Sequence, residues 1–179
     1  MEEKRNSLLK SAMFYGLLLG AFQVIKYMFF IIGTFFPTFS SVSIILAPLT
    51  VVFAYFFTKV YKVIVGGKIR FGHAWRFGVL LFFFAALIES LPQYIFYQYI
   101  ATPEYMSALI DEALKLADSM MIGGQMKEEL SAQLAALTPI HLTFQGIATN
   151  VIYGIIFSVP IAAILCRKTL SNDYMDLYK

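Results

Sequence analysis

The segment 141–166, HLTFQGIATNVIYGIIFSVPIAAILC, decides the fold class because it contains no Asp, Glu, Lys or Arg. A helix rises 1.5 Å per residue, so about 20 apolar residues cross the ~30 Å hydrocarbon core of a bilayer. Three similar stretches lie at about 11–36, 42–65 and 74–100. Since backbone groups find no water in a bilayer, each stretch must close its own hydrogen bonds as a helix. The sequence therefore predicts an all-α polytopic membrane protein with four transmembrane helices.

The composition supports a single membrane domain over 1–179. Hydrophobic residues make up 59% of the chain and charged residues 14%, whereas about a quarter of a soluble protein is charged. Four spans and their connections use the whole length, which leaves no room for a soluble domain. A net charge of +3 is too small to indicate nucleic acid as a partner, and the single Cys166 excludes an internal disulfide.

The distribution of Lys and Arg predicts the orientation. Three basic residues precede the first span, five lie in or beside the connection between spans two and three, and three follow the last span. The connection at 34–41 has none, and the segment 101–140 has two. Positively charged loops stay on the cytoplasmic side. We therefore expect a multi-pass bacterial inner-membrane protein with both termini in the cytoplasm.

The segment of about 102–138 reads as an extracytoplasmic helical hairpin. Thr102-Pro103-Glu104 is a typical helix start, and Gly123-Gly124 breaks the helix before a second amphipathic piece. The candidate partner surface on the first helix comprises Met106, Leu109, Ile110 and Leu114. The hairpin carries six acids against two lysines, so anionic lipid would repel it. Its apolar stripe is expected to rest on protein, either by capping the bundle or by binding a partner.

Polar residues inside the spans form a candidate intramembrane layer, because ionisable groups there cost roughly 2.5–3.5 kcal/mol each on insertion scales. Lys26, Glu89 and Asn150 are all predicted about 14–17 Å below the outer surface. Gln93 is a further candidate member, and Gln23, Ser90 and Thr149 lie within a turn of this depth. Three interpretations stay open: a structural lock, a polar cavity for a headgroup, ion or proton, and a contact with a partner subunit.

Small residues predict close helix packing. Gly16-x-x-x-Gly20 lies in the first span, and the last span has small or short side chains at four-residue steps, namely Gly146, Asn150, Gly154, Ser158 and Ala162. These patterns indicate packing and identify no particular partner.

No pattern indicates catalysis or a bound cofactor. His73 and His141 are predicted at opposite sides of the membrane, so they cannot share a metal ion. No phosphate-binding or dinucleotide-binding glycine motif is present, and Gly66-Gly67 reads as a turn. We therefore expect a protein that is not an enzyme and that binds no cofactor or metal.

Several motifs between Gly67 and Lys168 resemble a known family. They are Gly67-x-Ile69-x-Phe71-Gly72-x-Ala74, Thr102-Pro103-Glu104-Tyr105 and Asn150-x-x-x-Gly154-x-x-x-Ser158 before a basic end. In order and spacing they are similar to a family of small four-span inner-membrane proteins, found mainly in Bacteroidota and described only as a domain of unknown function. The resemblance implies the same four-helix topology and brings no catalytic residues. It also implies an accessory role beside a polyprenyl-phosphate glycosyltransferase, because relatives are often encoded near such an enzyme.

Two functional hypotheses follow. In the first, the chain is a non-enzymatic subunit or scaffold of an envelope complex, acting through its outer hairpin and its small-residue ridges. In the second, it is a small carrier or flippase-like helper that uses the Lys26 and Glu89 layer. Its partners are the lipid bilayer and either another membrane protein or further copies of itself as a homo-oligomer.

Overall fold

A computed structural model describes residues 2–120 and 124–167, and the part it describes is helical without a strand. The helices are α1 (Glu2–Phe35), α2 (Pro37–Ile64), α3 (Phe71–Ile95, continued by a π-helical turn at Phe96–Ile100), α4 (Pro103–Ser119), α5 (Gln125–Ala135) and α6 (Pro139–Arg167). Four of them, α1, α2, α3 with its π-helical turn and α6, are long and apolar enough to cross a membrane. The predicted all-α class with four candidate spans is confirmed.

Local sequence explains where the helices begin and end. The Thr102 hydroxyl accepts a hydrogen bond of 3.2 Å from the Tyr105 N–H at the start of α4, as its sequence predicts. Gly66 and Gly67 have φ values of +97° and +76°, which only glycine adopts readily, and they turn the chain from α2 into α3. Gly124 also has positive φ ahead of α5, whereas the predicted break at Gly123 lies outside the described residues.

Helix α3 is the centre of the bundle, with α1 packed on one side and α6 on the other. Its buried side chains include Phe77, Leu81 and Phe82. Helix α2 packs mainly on α1 and contacts α3 and α6 less extensively. The Tyr61 ring of α2 stacks on Phe77 with centroids 4.1 Å apart and planes 2° from parallel.

Glycines set the separation of α3 from its neighbours. A Cβ atom at Gly20 of α1 would lie 2.7 Å from the Ile88 Cβ of α3, and one at Gly154 of α6 would lie 2.6 Å from the Phe82 Cβ. Such distances are shorter than real Cβ contacts, so larger residues would force the helices apart. Gly16 faces Phe84 in the same way.

These contacts also give the helix directions. Residue numbers rise together across the α1–α3 contact, and they run in opposite directions across the α3–α6 contact. Helices α1 and α3 therefore begin at the end of the bundle where α2 and α6 finish, which we call the basic end. The opposite end, where α4 and α5 lie, is the hairpin end.

The hairpin helices α4 and α5 pack chiefly against each other and have fewer contacts with the spans. Tyr105 contacts the π-helical turn, its ring lying edge-on to Phe96 with centroids 5.3 Å apart. The predicted partner residues Met106, Leu109, Ile110 and Leu114 are half-buried. Leu116 of α4 and Met120, the residue that caps its end, are exposed apolar side chains, at 61% and 67%. The predicted partner residues are therefore less exposed than Leu116 and Met120.

Candidate functional site

The intramembrane polar layer is built by α1, α3 and α6. Helix α1 supplies Gln23 and Lys26, α3 supplies Glu89, and α6 supplies Asn150. Gln23 and Lys26 are three positions apart and so share one face of α1. The close approach at Gly20 aligns that face with α3.

Asn150 is the central member of the layer. Its Nδ2 donates a hydrogen bond of 2.7 Å to the Oε2 of Glu89. Its Oδ1 accepts a hydrogen bond of 3.0 Å from the Nε2 of Gln23. A side-chain amide can donate and accept at once, so this one residue joins all three helices.

Lys26 is the more distant partner of Glu89, with 3.8 Å between its Nζ and the Oε1. A close charge-assisted N–H···O bond is about 2.7–2.9 Å long, so this pair is an ion pair without a tight hydrogen bond. The Lys26 side chain is 21% exposed and the Glu89 side chain 4%. The carboxylate is therefore enclosed by the bundle, whereas the ammonium sits at its edge.

The layer differs in membership from the set singled out in the sequence. The structure brings Lys26, Glu89 and Asn150 together and adds Gln23, which the sequence placed only within a turn of them. Gln93 lies one turn nearer the hairpin end, where its side chain packs on Gly146. The sequence feature that could have placed Gln23 in the layer is its position three residues before Lys26, on the same face of a helix.

One polar atom of the layer lacks a partner within the described part of the chain. The Oε1 of Gln23 is buried and accepts no hydrogen bond. A buried acceptor without a partner costs about 1–3 kcal/mol, so it is a site where a water molecule or a ligand donor would be stabilised.

Sequence reasoning missed Lys62, which it counted among the loop charges. The side chain is 1% exposed, and its Nζ donates a hydrogen bond of 2.7 Å to the Leu165 carbonyl. That carbonyl belongs to the last turn of α6, where carbonyls lack intrahelical donors and the helix dipole favours a cation. Its position in the last turn of α2 is the sequence feature that could have identified Lys62. The sequence does not show, however, that the side chain points toward α6.

The histidines make local contacts at opposite ends of the bundle. The Tyr61 hydroxyl lies 2.8 Å from the Nε2 of His73, and the Thr138 hydroxyl lies 3.2 Å from the Nδ1 of His141. Over residues 2–120 and 124–167, no three His, Cys, Asp or Glu side chains are grouped as they would be to hold a metal ion.

Two ionisable groups at the start of α4 are shifted. Burial, together with the nearby Tyr97 and Glu112, raises the pKa of Tyr105 to about 12. Hydrogen bonds from its own backbone N–H and from Thr102 lower the pKa of the Glu104 carboxyl. Both shifts stabilise the protonation states that the two groups have at neutral pH, a phenol and a carboxylate.

Comparison with known proteins places the chain in a family. The family model described as "Protein of unknown function (DUF4199)" matches residues 14–167, which includes most of the first span, the other three spans and the polar layer. No curated protein and no solved structure matches the chain. The chain belongs to the DUF4199 family, so the expected resemblance to a family of unknown function is confirmed.

Proposed function

We propose that this member of the DUF4199 family is a non-enzymatic membrane subunit that binds another envelope membrane protein through its α4–α5 hairpin. One observation carries the proposal: the hairpin helices pack on each other, and Leu116 of α4 and Met120, the residue that caps its end, are exposed. These two residues are four positions apart and share one helix face. An exposed apolar face on a helix pair outside the spans is typical of a protein–protein interaction site.

Charge indicates the kind of partner surface. The hairpin carries six acids and two lysines over 102–138. A partner with an apolar patch ringed by Lys and Arg would complement both the exposed face of α4 and the acids around it. The proposed partner is a polyprenyl-phosphate glycosyltransferase, an assignment that rests on the family resemblance.

The proposed orientation is in a bacterial inner membrane with the basic end in the cytoplasm. Lys and Arg occur at the basic end in three places: in the first turns of α1, around the α2–α3 turn, and at Arg167, the last residue of α6. The positive-inside rule favours this orientation, which puts the acidic hairpin on the outer side.

In this proposal the polar layer is a structural lock. Asn150 engages both Gln23 and Glu89, and Lys26 balances the carboxylate charge. Such a network fixes the register of α1, α3 and α6, which holds the hairpin in a defined position relative to the membrane.

Site-specific photo-crosslinking in cells tests the proposal. A benzophenone amino acid placed at Leu116 is expected to crosslink a glycosyltransferase of the polyprenyl-phosphate class. The same probe at Ile156, which is 56% exposed on a membrane-spanning helix, is the matched control and should give no such product. A Leu116 probe that yields only lipid adducts or crosslinks between copies of this chain would contradict the proposal.

One observation favours the second candidate function, a small oligomeric carrier or flippase-like helper. The unpartnered Oε1 of Gln23 adjoins the Glu89 network, so the layer has a polar position left to fill. The variant Glu89→Gln separates the two functions. It leaves partner crosslinking intact if the layer is a lock, and it abolishes activity without loss of folded protein if the layer handles a substrate.

A further inference from the structure

A cavity of about 820 Å³ lies at the basic end of the bundle, beside the α2–α3 turn. Its volume is within the range of about 300–1,000 Å³ that is usual for small-molecule sites. Ile64 and Val65, at the end of α2, form apolar walls, and Lys68, Arg70 and His73 supply nitrogen atoms. The lining of the cavity thus combines apolar and cationic side chains.

Lys68 and Arg70 are the two cations that line the cavity. Over residues 7–120 and 124–167, no carboxylate forms an ion pair with Lys68 or Arg70. Both side chains are exposed. The two residues follow the Gly66-Gly67 turn and lie two positions apart, just before α3 begins. Two cations lining one cavity create a local positive potential that favours an anion.

His73 is held in place at the wall of the same cavity. Its ring stacks on Tyr61 with centroids 5.7 Å apart and planes 12° from parallel, and its Nε2 lies 2.8 Å from the Tyr61 hydroxyl. Tyr61 is itself fully buried. The imidazole is therefore a positioned polar group in the cavity wall, beside the exposed Lys68 and Arg70.

The start of α3 adds to the positive potential. Arg70 is the N-cap residue of α3 and makes no side-chain capping bond. The first N–H groups of a helix and its dipole attract anions, and phosphate is a common ligand at such ends. Since Arg70 both precedes α3 and lines the cavity, this helix end lies at the cavity.

We infer that the basic-end cavity binds a phosphate-bearing anion. The shared chemistry is a phosphate group held by Lys68 and Arg70 against His73, with the apolar part of the ligand on Ile64 and Val65. An anionic lipid headgroup and a soluble phosphate compound both carry this group, and basic pockets at the ends of spans are known to bind anionic headgroups. The site is independent of the proposed hairpin interface, which lies at the other end of the bundle.

Native mass spectrometry of the delipidated full chain in mild detergent tests the inference. The lipid arm titrates phosphatidylglycerol against phosphatidylcholine, and the soluble arm titrates inorganic phosphate and diphosphate by calorimetry. The test variant is Lys68→Gln/Arg70→Gln. The control variant Arg76→Gln/Arg167→Gln changes the charge equally, at exposed positions outside the cavity. Circular dichroism establishes that both variants keep their helical content.

The expected result is an anionic ligand that binds the wild type and the control equally and binds the test variant at least about tenfold more weakly. That factor corresponds to about 1.4 kcal/mol. Binding in the lipid arm identifies a headgroup, and binding in the soluble arm identifies a water-soluble phosphate compound. The inference is overturned if neither arm shows binding, or if the test variant binds as well as the control.

Discussion

The Nδ2 of Asn150 lies 2.7 Å from the Oε2 of Glu89, closer to the carboxylate than the oppositely charged Nζ of Lys26, which is 3.8 Å from Oε1. The amide of α6 is therefore the principal hydrogen-bond partner of the buried acid. Lys26 supplies a compensating charge at a greater distance. Because Asn150 is the closer partner of Glu89, we expect its replacement to weaken the bundle more than a replacement of Lys26.

Replacing Asn150 with Leu is expected to lower the free energy of unfolding by about 2 kcal/mol, because it leaves Glu89 and Gln23 without their partner. Thr149→Val, at the neighbouring exposed position, is the control and should change it by less than about 0.5 kcal/mol. Equilibrium unfolding in mixed micelles with rising dodecyl sulfate measures both values. Equal effects of the two variants would show that Asn150 does not join the helices.

Replacing Gly20 with Ala is expected to destabilise the bundle by about 1–3 kcal/mol, because the new Cβ would lie 2.7 Å from the Ile88 Cβ. Gly72→Ala is the matched control, since a Cβ there meets nothing within 4 Å. The control should be neutral or slightly stabilising, as alanine favours helix over glycine. The same unfolding assay compares them, and a Gly20→Ala variant as stable as the control would refute the close approach of α1 and α3.

Replacing Lys62 with Met is expected to loosen the end of α6. Methionine keeps much of the side-chain volume but donates no hydrogen bond to the Leu165 carbonyl, at a cost of about 1–2 kcal/mol. Hydrogen exchange of the last turn of α6 should accelerate several-fold, whereas exchange in the middle of α3 stays unchanged. Lys10→Met, at an exposed position of α1, is the control and should leave the exchange of α6 as it is.

The single Cys166 provides a test of orientation without engineering. It is exposed at the basic end, so a membrane-impermeant maleimide is expected to label it in inverted vesicles and not in intact spheroplasts. Ser119→Cys in a Cys166→Ser background moves the thiol to an exposed position on the hairpin and should reverse the pattern. Labelling of Cys166 in intact spheroplasts would invert the proposed topology.

Much of the candidate site could be predicted from residue depth alone. Lys26, Glu89 and Asn150 lie at similar distances along their helices, and the structure brings them together. Depth along a helix follows from counting residues at 1.5 Å each, but the direction in which a side chain points does not. Gln93 was therefore grouped with the layer although it packs on Gly146, and Lys62 was counted as a loop charge although it is buried.

The sequence by itself determined the four long apolar helices, the start of α4 at Thr102, and the turn at Gly66-Gly67. Each of these follows from local chemistry: hydrophobic length, a capping hydroxyl and positive φ. Only the tertiary structure decided that Asn150 bridges Gln23 and Glu89, and that a cationic cavity opens beside α3. Those features depend on the distance between neighbouring helices and on the rotation of each helix about its own axis. The small-residue patterns predict that helices pack closely, but they do not show which helix each glycine meets, and those contacts between residues far apart in the chain set both.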